Sequence, residues 1–188
     1  MLYDFLRRAI LPLEEIDASL PKKGKLLDLG CGEGVISKYL AKNKKRKVIG
    51  IDSDVRRLPK HKTKYLSFKN ADIRNVSLKG TAGVVISDVL HHLNLKDQKT
   101  LLSKVARELK KGGVLVIKEI DKSEFVRSRL SRLWDFILYP KDKINYWHYK
   151  ELKKFLRKLV LKLNFSGPAD YSQAQPLYLY AKNDNFLP

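Results

Sequence analysis

Asp28, Gly30, Gly32 and Gly34 fall within one ten-residue run, KLLDLGCGEG, at residues 25–34. The apolar residues Leu26, Leu27 and Leu29 lead into it. Glycines at the carboxyl end of a buried strand let a ligand lie directly on the backbone. The segment from Val35 to about residue 42 reads as a helix whose free N–H groups open at the same place. A strand, a glycine loop and a helix in this order form the unit with which open α/β sheets bind nucleotides. The spacing here is D-x-G-x-G-x-G, and the dinucleotide pattern G-x-G-x-x-G is absent. Asp52 closes a second apolar run, VIGID, 22 residues beyond Gly30, with Ser53 beside it. A carboxylate there can accept both hydroxyls of a ribose, at about 1.5–3 kcal/mol for each charge-assisted hydrogen bond. The competing role for Asp52 is to cap a helix starting at Asp54.

Three other groups have types suited to chemistry. His91 and His92 follow an apolar run that emerges into Ser87, Asp88 and Val89. Imidazole titrates near neutrality, so His91 could take a proton or position an acceptor, while packing or capping suits His92. Glu119 and Asp121 end a later apolar run, and strand alternation puts them on one face, where one of them could shape an acceptor pocket. Cys31, the single cysteine, sits inside the glycine loop, where a small apolar filler lining the ligand site outweighs a nucleophilic role. No Cys, His and carboxylate set has metal-ligand spacing.

Positioning these residues requires an alternation of strands and helices. Apolar runs place strands at about 25–29, 47–52, 64–69, 82–88 and 113–119. Helices are expected at about 35–42, 54–58 and 95–110, with a short turn near 73–79. Such alternation implies a parallel sheet wound on both sides. Gly112 and Gly113 end the long helix and start the fifth strand. Residues 1–20 have helical spacing that Pro12 should kink or divide. Residues 123–138 form an apolar helical face flanked by Arg127, Arg129 and Arg132, stopped by Pro140. A further helix is expected at about 148–163 with Asn164 as a left-handed cap, then an antiparallel hairpin at 165–171 and 177–182. The fold class is therefore α/β: a Rossmann-like, doubly wound, seven-stranded sheet, mostly parallel with an antiparallel last strand. The chain reads as one domain over residues 1–188, with a helical amino-terminal segment at 1–22 and a helical insert at 122–147 that could serve as a lid.

Composition sets bounds. The chain has 188 residues and a formal net charge of +19, which points to anionic partners such as RNA or a lipid surface, or to a generally lysine-rich exterior. One cysteine excludes an intramolecular disulfide and fits a reducing, cytoplasmic setting. No stretch is apolar enough to span a membrane, and Asp4, Arg7 and Arg8 interrupt the amino terminus too early for a signal peptide.

Taken together, D-x-G-x-G-x-G, the acidic residue at 52, NADIRNV around Asp72, SDVLHH at residues 87–92 and KKGGVLVIKEID at 110–121 resemble the class I methyltransferases that use S-adenosylmethionine. Within that class the resemblance is to the ubiquinone/menaquinone-biosynthesis type, over about residues 23–183. It implies S-adenosylmethionine as cofactor, held by Asp28, Gly30, Cys31, Gly32 and Gly34, by Asp52 and Ser53 at the ribose, and by Ser87 and Asp88. Asp72 would bond the adenine amino group, and the Ile73 N–H a ring nitrogen. His91 and Asp121 are the candidate catalytic residues. Trp147 and His148 stand where that type has Arg-Ser, so its substrate-side details do not carry over.

The acceptor expected from SDVLHH and the insert is a small or lipid-like molecule. The rival reading is an RNA methyltransferase, motivated by the charge. Residues 42–47 would lie at the sheet end opposite the site, whereas Arg56, Arg57, Lys60 and Lys62 would flank the adenosine side. Tyr139, Tyr146, Trp147 and Tyr149 supply aromatic interleaving. The lack of an N-P-P-Y segment after the fourth strand argues against amino-methylation of bases. A non-catalytic cofactor-binding subunit is the third reading, and the sequence leaves the oligomeric state open.

Overall fold

A computed structural model describes residues 11–119, 145–159, 161–164 and 177–183. In chain order the elements are α1 (Leu13–Ser19), β1 (Gly24–Leu29), α2 (Val35–Leu40), β2 (Arg46–Asp52), β3 (Leu66–Asn70), a 3-10 turn (Ile73–Asn75) and β4 (Gly83–Ser87). A second 3-10 turn (Leu90–His92), α3 (Leu95–Glu108), β5 (Val114–Glu119), α4 (Tyr149–Lys158), β6 (Leu161–Asn164) and β7 (Leu177–Asn183) complete the set. The strands lie in the order β3-β2-β1-β4-β5-β7-β6. β1 to β5 pair in parallel, and β7 runs antiparallel to both β5 and β6. β1 therefore has β2 on one side and β4 on the other, so the chain's winding reverses across the β1/β4 gap. In an open α/β sheet this reversal opens a crevice at the carboxyl ends of the strands.

Each central strand alternates between two cores because it is covered on both faces. Leu27, Leu29, Ile51, Val84, Ile86, Leu115 and Ile117 pack with Leu101, Leu102 and Val105 of α3 and with Leu152 and Leu156 of α4. Leu26, Val48, Val85 and Val116, at the alternate positions, pack with Ile16 of α1 and with Val35, Ile36 and Leu40 of α2. α3 begins where the Asn94 side chain accepts the Asp97 N–H at 2.9 Å, an N-cap that satisfies one orphan donor.

Two local expectations are corrected. No helix forms at 54–58: the Asp54 carboxylate accepts the Arg56 N–H at 3.0 Å in an Asx turn, and Pro59 keeps Leu58 out of a helical register. α1 starts at Leu13, directly after Pro12 as its N-cap, which is the boundary the proline was expected to set, while residues 1–10 lie outside the described residues. The carboxyl-terminal helix stops at Lys158, and residues 161–164 pair with β7, so Asn164 lies in a strand and caps no helix. Strand pairing overrides the helical spacing there. Arg46, within the basic run 42–47, is fully buried. Its guanidinium pairs with Asp17 and donates to the carbonyls of Asp17 (3.1 Å), Leu20 (3.2 Å) and Pro21 (2.8 Å), closing the carboxyl end of α1.

Candidate active site

The glycine loop leaves β1 by folding onto β2. The Gly30 and Cys31 amides donate to the Ile51 carbonyl at 2.8 and 3.0 Å, and Gly32 N–H donates to Asp52 Oδ2 at 2.7 Å. The other carboxylate oxygen, Oδ1, accepts Asp54 N–H at 2.9 Å. Asp52 thus clamps the loop after β1 to the loop after β2. A carboxylate offers about four lone-pair sites, so two ribose hydroxyls fit its remaining capacity. Asp28 is buried and accepts Ser37 Oγ at 2.6 Å, tying β1 to α2. Gly30, Gly32 and Gly34 all have positive φ (74°, 51° and 71°), which L side chains seldom adopt. At Gly30 the need is also steric, since an added Cβ would sit 2.2 Å from Val89 Cγ2. That contact joins the loop after β1 to the loop after β4 across the crevice.

Cys31 is buried, and desolvation, followed by the charges of Asp28 and Asp52, pushes its thiol far above the usual range. It stays protonated, which suits a filler and not a nucleophile. Asp72 sits after β3 with both oxygens engaged by Arg74, through Nε at 2.9 Å and the backbone N–H at 2.9 Å among others. The Arg74 hydrogen bond is the main reason its carboxyl lies below the ordinary range. Arg74 also reaches Asp97 at 2.7 Å, so an adenine amino group would compete with a guanidinium for Asp72. Ile73 is buried immediately after it. Ser53 is exposed beyond Asp52, and its carbonyl accepts Asn70 Nδ2 at 2.8 Å.

Beyond β4 the chain makes the tight passage Ser87–Asp88–Val89. Ser87 is buried, with its hydroxyl 3.3 Å from Asp88 Oδ2. Asp88 alone among the described non-glycine residues has positive φ, at 55°. Its carboxylate is held by Lys118 Nζ at 2.7 and 2.5 Å. His91 is buried, its Nδ1 lies 2.7 Å from Glu119 Oε2, and its ring stands 4.2 Å from that of His92 and 5.2 Å from that of Tyr146. Glu119 Oε1 accepts the N–H groups of Val89 (2.9 Å) and Leu90 (2.7 Å).

The structure thus brings Asp28, the glycine loop, Asp52, Asp72, Ser87, Asp88 and His91 to the carboxyl ends of β1 to β4. Asp121 lies outside the described residues, as do residues 122–144 of the insert. Lys118, which holds Asp88, is the partner that site reasoning missed. The alternation of β5 pointed to Glu119 as a sheet-end carboxylate, but nothing in the sequence pairs Lys118 with Asp88. Tyr146 and Trp147, two of the aromatics read as interleaved with the basic residues, are buried, and the Trp147 indole donates to Gln98, which removes them as stacking platforms. Among the described residues no helix is long and apolar enough to cross a membrane, and no group of three His, Cys, Asp or Glu is placed to hold a metal ion.

Comparison with known proteins agrees with this geometry. A methyltransferase-domain family matches residues 2–163. The carboxy-S-adenosyl-L-methionine synthase of Actinobacillus succinogenes is 31% identical over 106 residues, covering 50% of this chain and 44% of that protein, so the chain matches less than half the length of this relative. Among solved structures, a Haloferax volcanii methyltransferase in complex with the Trm112 methyltransferase activator superposes with a TM-score of 0.78 at 15% identity, covering 99% of this chain and 95% of that one. The magnesium protoporphyrin IX methyltransferase of Synechocystis with bound S-adenosylhomocysteine gives 0.69 at 18% identity, covering 91% and 81%. With a family match over most of its length and the open α/β sheet order that creates the β1/β4 crevice, the chain belongs to the methyltransferase-domain family, of the class I type that uses S-adenosylmethionine.

Proposed function

We propose that this protein transfers a methyl group from S-adenosylmethionine to a small-molecule or lipid-like acceptor. The observation that carries the reading is the Asp52 clamp, a carboxylate bound to Gly32 N–H at the mouth of the β1/β4 crevice with acceptor capacity left over. The glycine loop would carry the amino acid end of the cofactor on its backbone, Asp52 and Ser53 the ribose, Asp72 and Ile73 the adenine edge. Ser87 and Asp88 would flank the methyl group. When bound, the cofactor supplies a methyl already activated by the sulfonium. The chain's own task is then to orient the acceptor, and orientation alone can lower a barrier by about 7–11 kcal/mol. His91, held by Glu119, would orient an acceptor hydroxyl or ammonium or take its proton. The relatives' names, a carboxy-S-adenosyl-L-methionine synthase and a porphyrin methyltransferase with bound S-adenosylhomocysteine, support the cofactor assignment.

A second reading, RNA as acceptor, is favoured by one observation: Arg56, Lys60, Lys62 and Lys64 are exposed on the loop that leaves Asp52. The first experiment is calorimetric titration with S-adenosylhomocysteine after stripping nucleic acid in high salt. Micromolar binding is the expected result, and a folded protein that fails to bind would remove the cofactor reading. Transfer from labelled S-adenosylmethionine to lipid, quinone-like and RNA acceptors then separates the two readings. Turnover of a neutral acceptor should be insensitive to salt, whereas RNA binding should fall steeply between low and moderate salt.

A further inference from the structure

The β4 exit is gripped from both faces of the sheet. On the face shared with Leu115 and Ile117, Glu119 binds the amides of Val89 and Leu90 and the His91 ring. On the opposite face, shared with Val116, the buried Lys118 reaches back to Asp88. Its backbone carbonyl accepts Asp88 N–H at 2.9 Å while its ammonium holds both oxygens of the same residue. Lys118 therefore binds Asp88 at two points, and Asp88 is the residue with φ of 55°. A left-handed conformation is unfavourable for an L residue, with Asn and Asp the best tolerated after glycine. Residues held in such regions persist where the surroundings over-determine them. The next residue, Val89, is the one that fills the space over Gly30. Any other backbone conformation at Asp88 would redirect Val89 away from the glycine loop.

We propose that Lys118 is a positioning residue for the cofactor site: by holding Asp88 in its left-handed conformation, it keeps the β4 exit packed on the glycine loop in the shape that binds S-adenosylmethionine. This inference rests on the cofactor reading above. Without Lys118 the exit turn samples other conformations, and the apparent affinity falls with the fraction that remains competent.

The test is calorimetric titration with S-adenosylhomocysteine across variants whose melting is followed in parallel. Lys118→Met should weaken binding about tenfold, the effect of leaving roughly a tenth of molecules competent. The decisive comparison places Asp88→Gly, Asp88→Asn and Asp88→Ala in the Lys118→Met background, where neither charge of the pair remains. Glycine and asparagine tolerate the left-handed region and should bind about tenfold more tightly than alanine, all three variants sharing the loss of the Asp88 carboxylate itself. Equal affinities for the three double variants would show that Lys118 only neutralises a charge, and the proposal would fall. Wild-type affinity in Lys118→Met would overturn it as well. Absence of binding by the wild-type protein would strike instead at the cofactor reading. If Lys118→Met alone fails to fold because Asp88 is left unpaired, the ranking of the double variants still decides.

Discussion

Glu119 and His91 form a buried pair, 2.7 Å between Oε2 and Nδ1, in which the other carboxylate oxygen accepts two backbone amides of the turn that carries His91. The glutamate thus sets both the ring and the backbone that presents it. Glu119→Ala should destabilise the protein by about 3–5 kcal/mol, since it removes one partner of a buried pair and leaves two amides without an acceptor. Glu119→Gln retains an acceptor oxygen and should cost clearly less in urea denaturation. Under the proposed function, both variants should lose more in turnover than in S-adenosylhomocysteine affinity, because His91 faces the acceptor step.

Asp52 offers a cleaner separation of binding from folding. Asp52→Ala should weaken S-adenosylhomocysteine binding roughly ten- to a hundredfold through the lost ribose hydrogen bonds. Its melting temperature should change little by comparison, because the Gly32 and Asp54 amides that it holds lie in loops. Unchanged affinity by calorimetry would mean that the ribose lies elsewhere.

Gly30 and Gly112 have nearly the same φ, 74° and 71°, but different surroundings. A Cβ on Gly112 meets nothing within 4 Å, whereas one on Gly30 lies 2.2 Å from Val89. Gly112→Ala should therefore show only the backbone penalty, about 1–2 kcal/mol. Gly30→Ala adds overpacking and should lose about 1–3 kcal/mol more, together with cofactor affinity. Denaturation of both variants, with a titration of each, checks the difference.

Acid stability should report on Asp17. Burial pushes its carboxyl up, but the hydrogen bond and charge of Arg46, with Lys22 adding to them, outweigh that and leave it below the ordinary value of 3.8. A carboxylate depressed in the folded state contributes stability above its unfolded pKa, and that contribution disappears as pH falls through the folded one. Asp17→Asn should thus be less stable than the wild type by about 1.5–3 kcal/mol at neutral pH. The gap should narrow only once pH drops below 3.8 and should close at still lower pH. A gap that stays constant with pH would show that the carboxylate charge contributes nothing there.

The parts of this protein legible in its sequence are the local ones. The apolar runs of β1, β2, β4 and β5 stand where their alternation put them, each within two residues of its expected bounds. The glycine loop and Asp52 lie at strand ends because strand, turn and helix signals are carried by neighbouring residues. Where local signals conflicted, either tertiary pairing or a stronger local turn prevailed. Residues 161–164 continue a helical pattern in sequence but pair with β7, and residues 54–58 give way to an Asx turn ahead of Pro59. The pairs that shape the site were not legible at all. Lys118 with Asp88, Glu119 with His91 and Val89 over Gly30 join residues 28 to 59 positions apart, and at the other end of the sheet the burial of Arg46 against Asp17 is equally non-local. Composition shows how many charges a chain carries, but only the order of strands in the sheet decides which of them meet. Placing β4 between β1 and β5 brings the SDVLHH turn against the glycine loop on one side and against Lys118 and Glu119 on the other. Proximity of that kind arises from packing two cores against one sheet, and no period in the sequence encodes it.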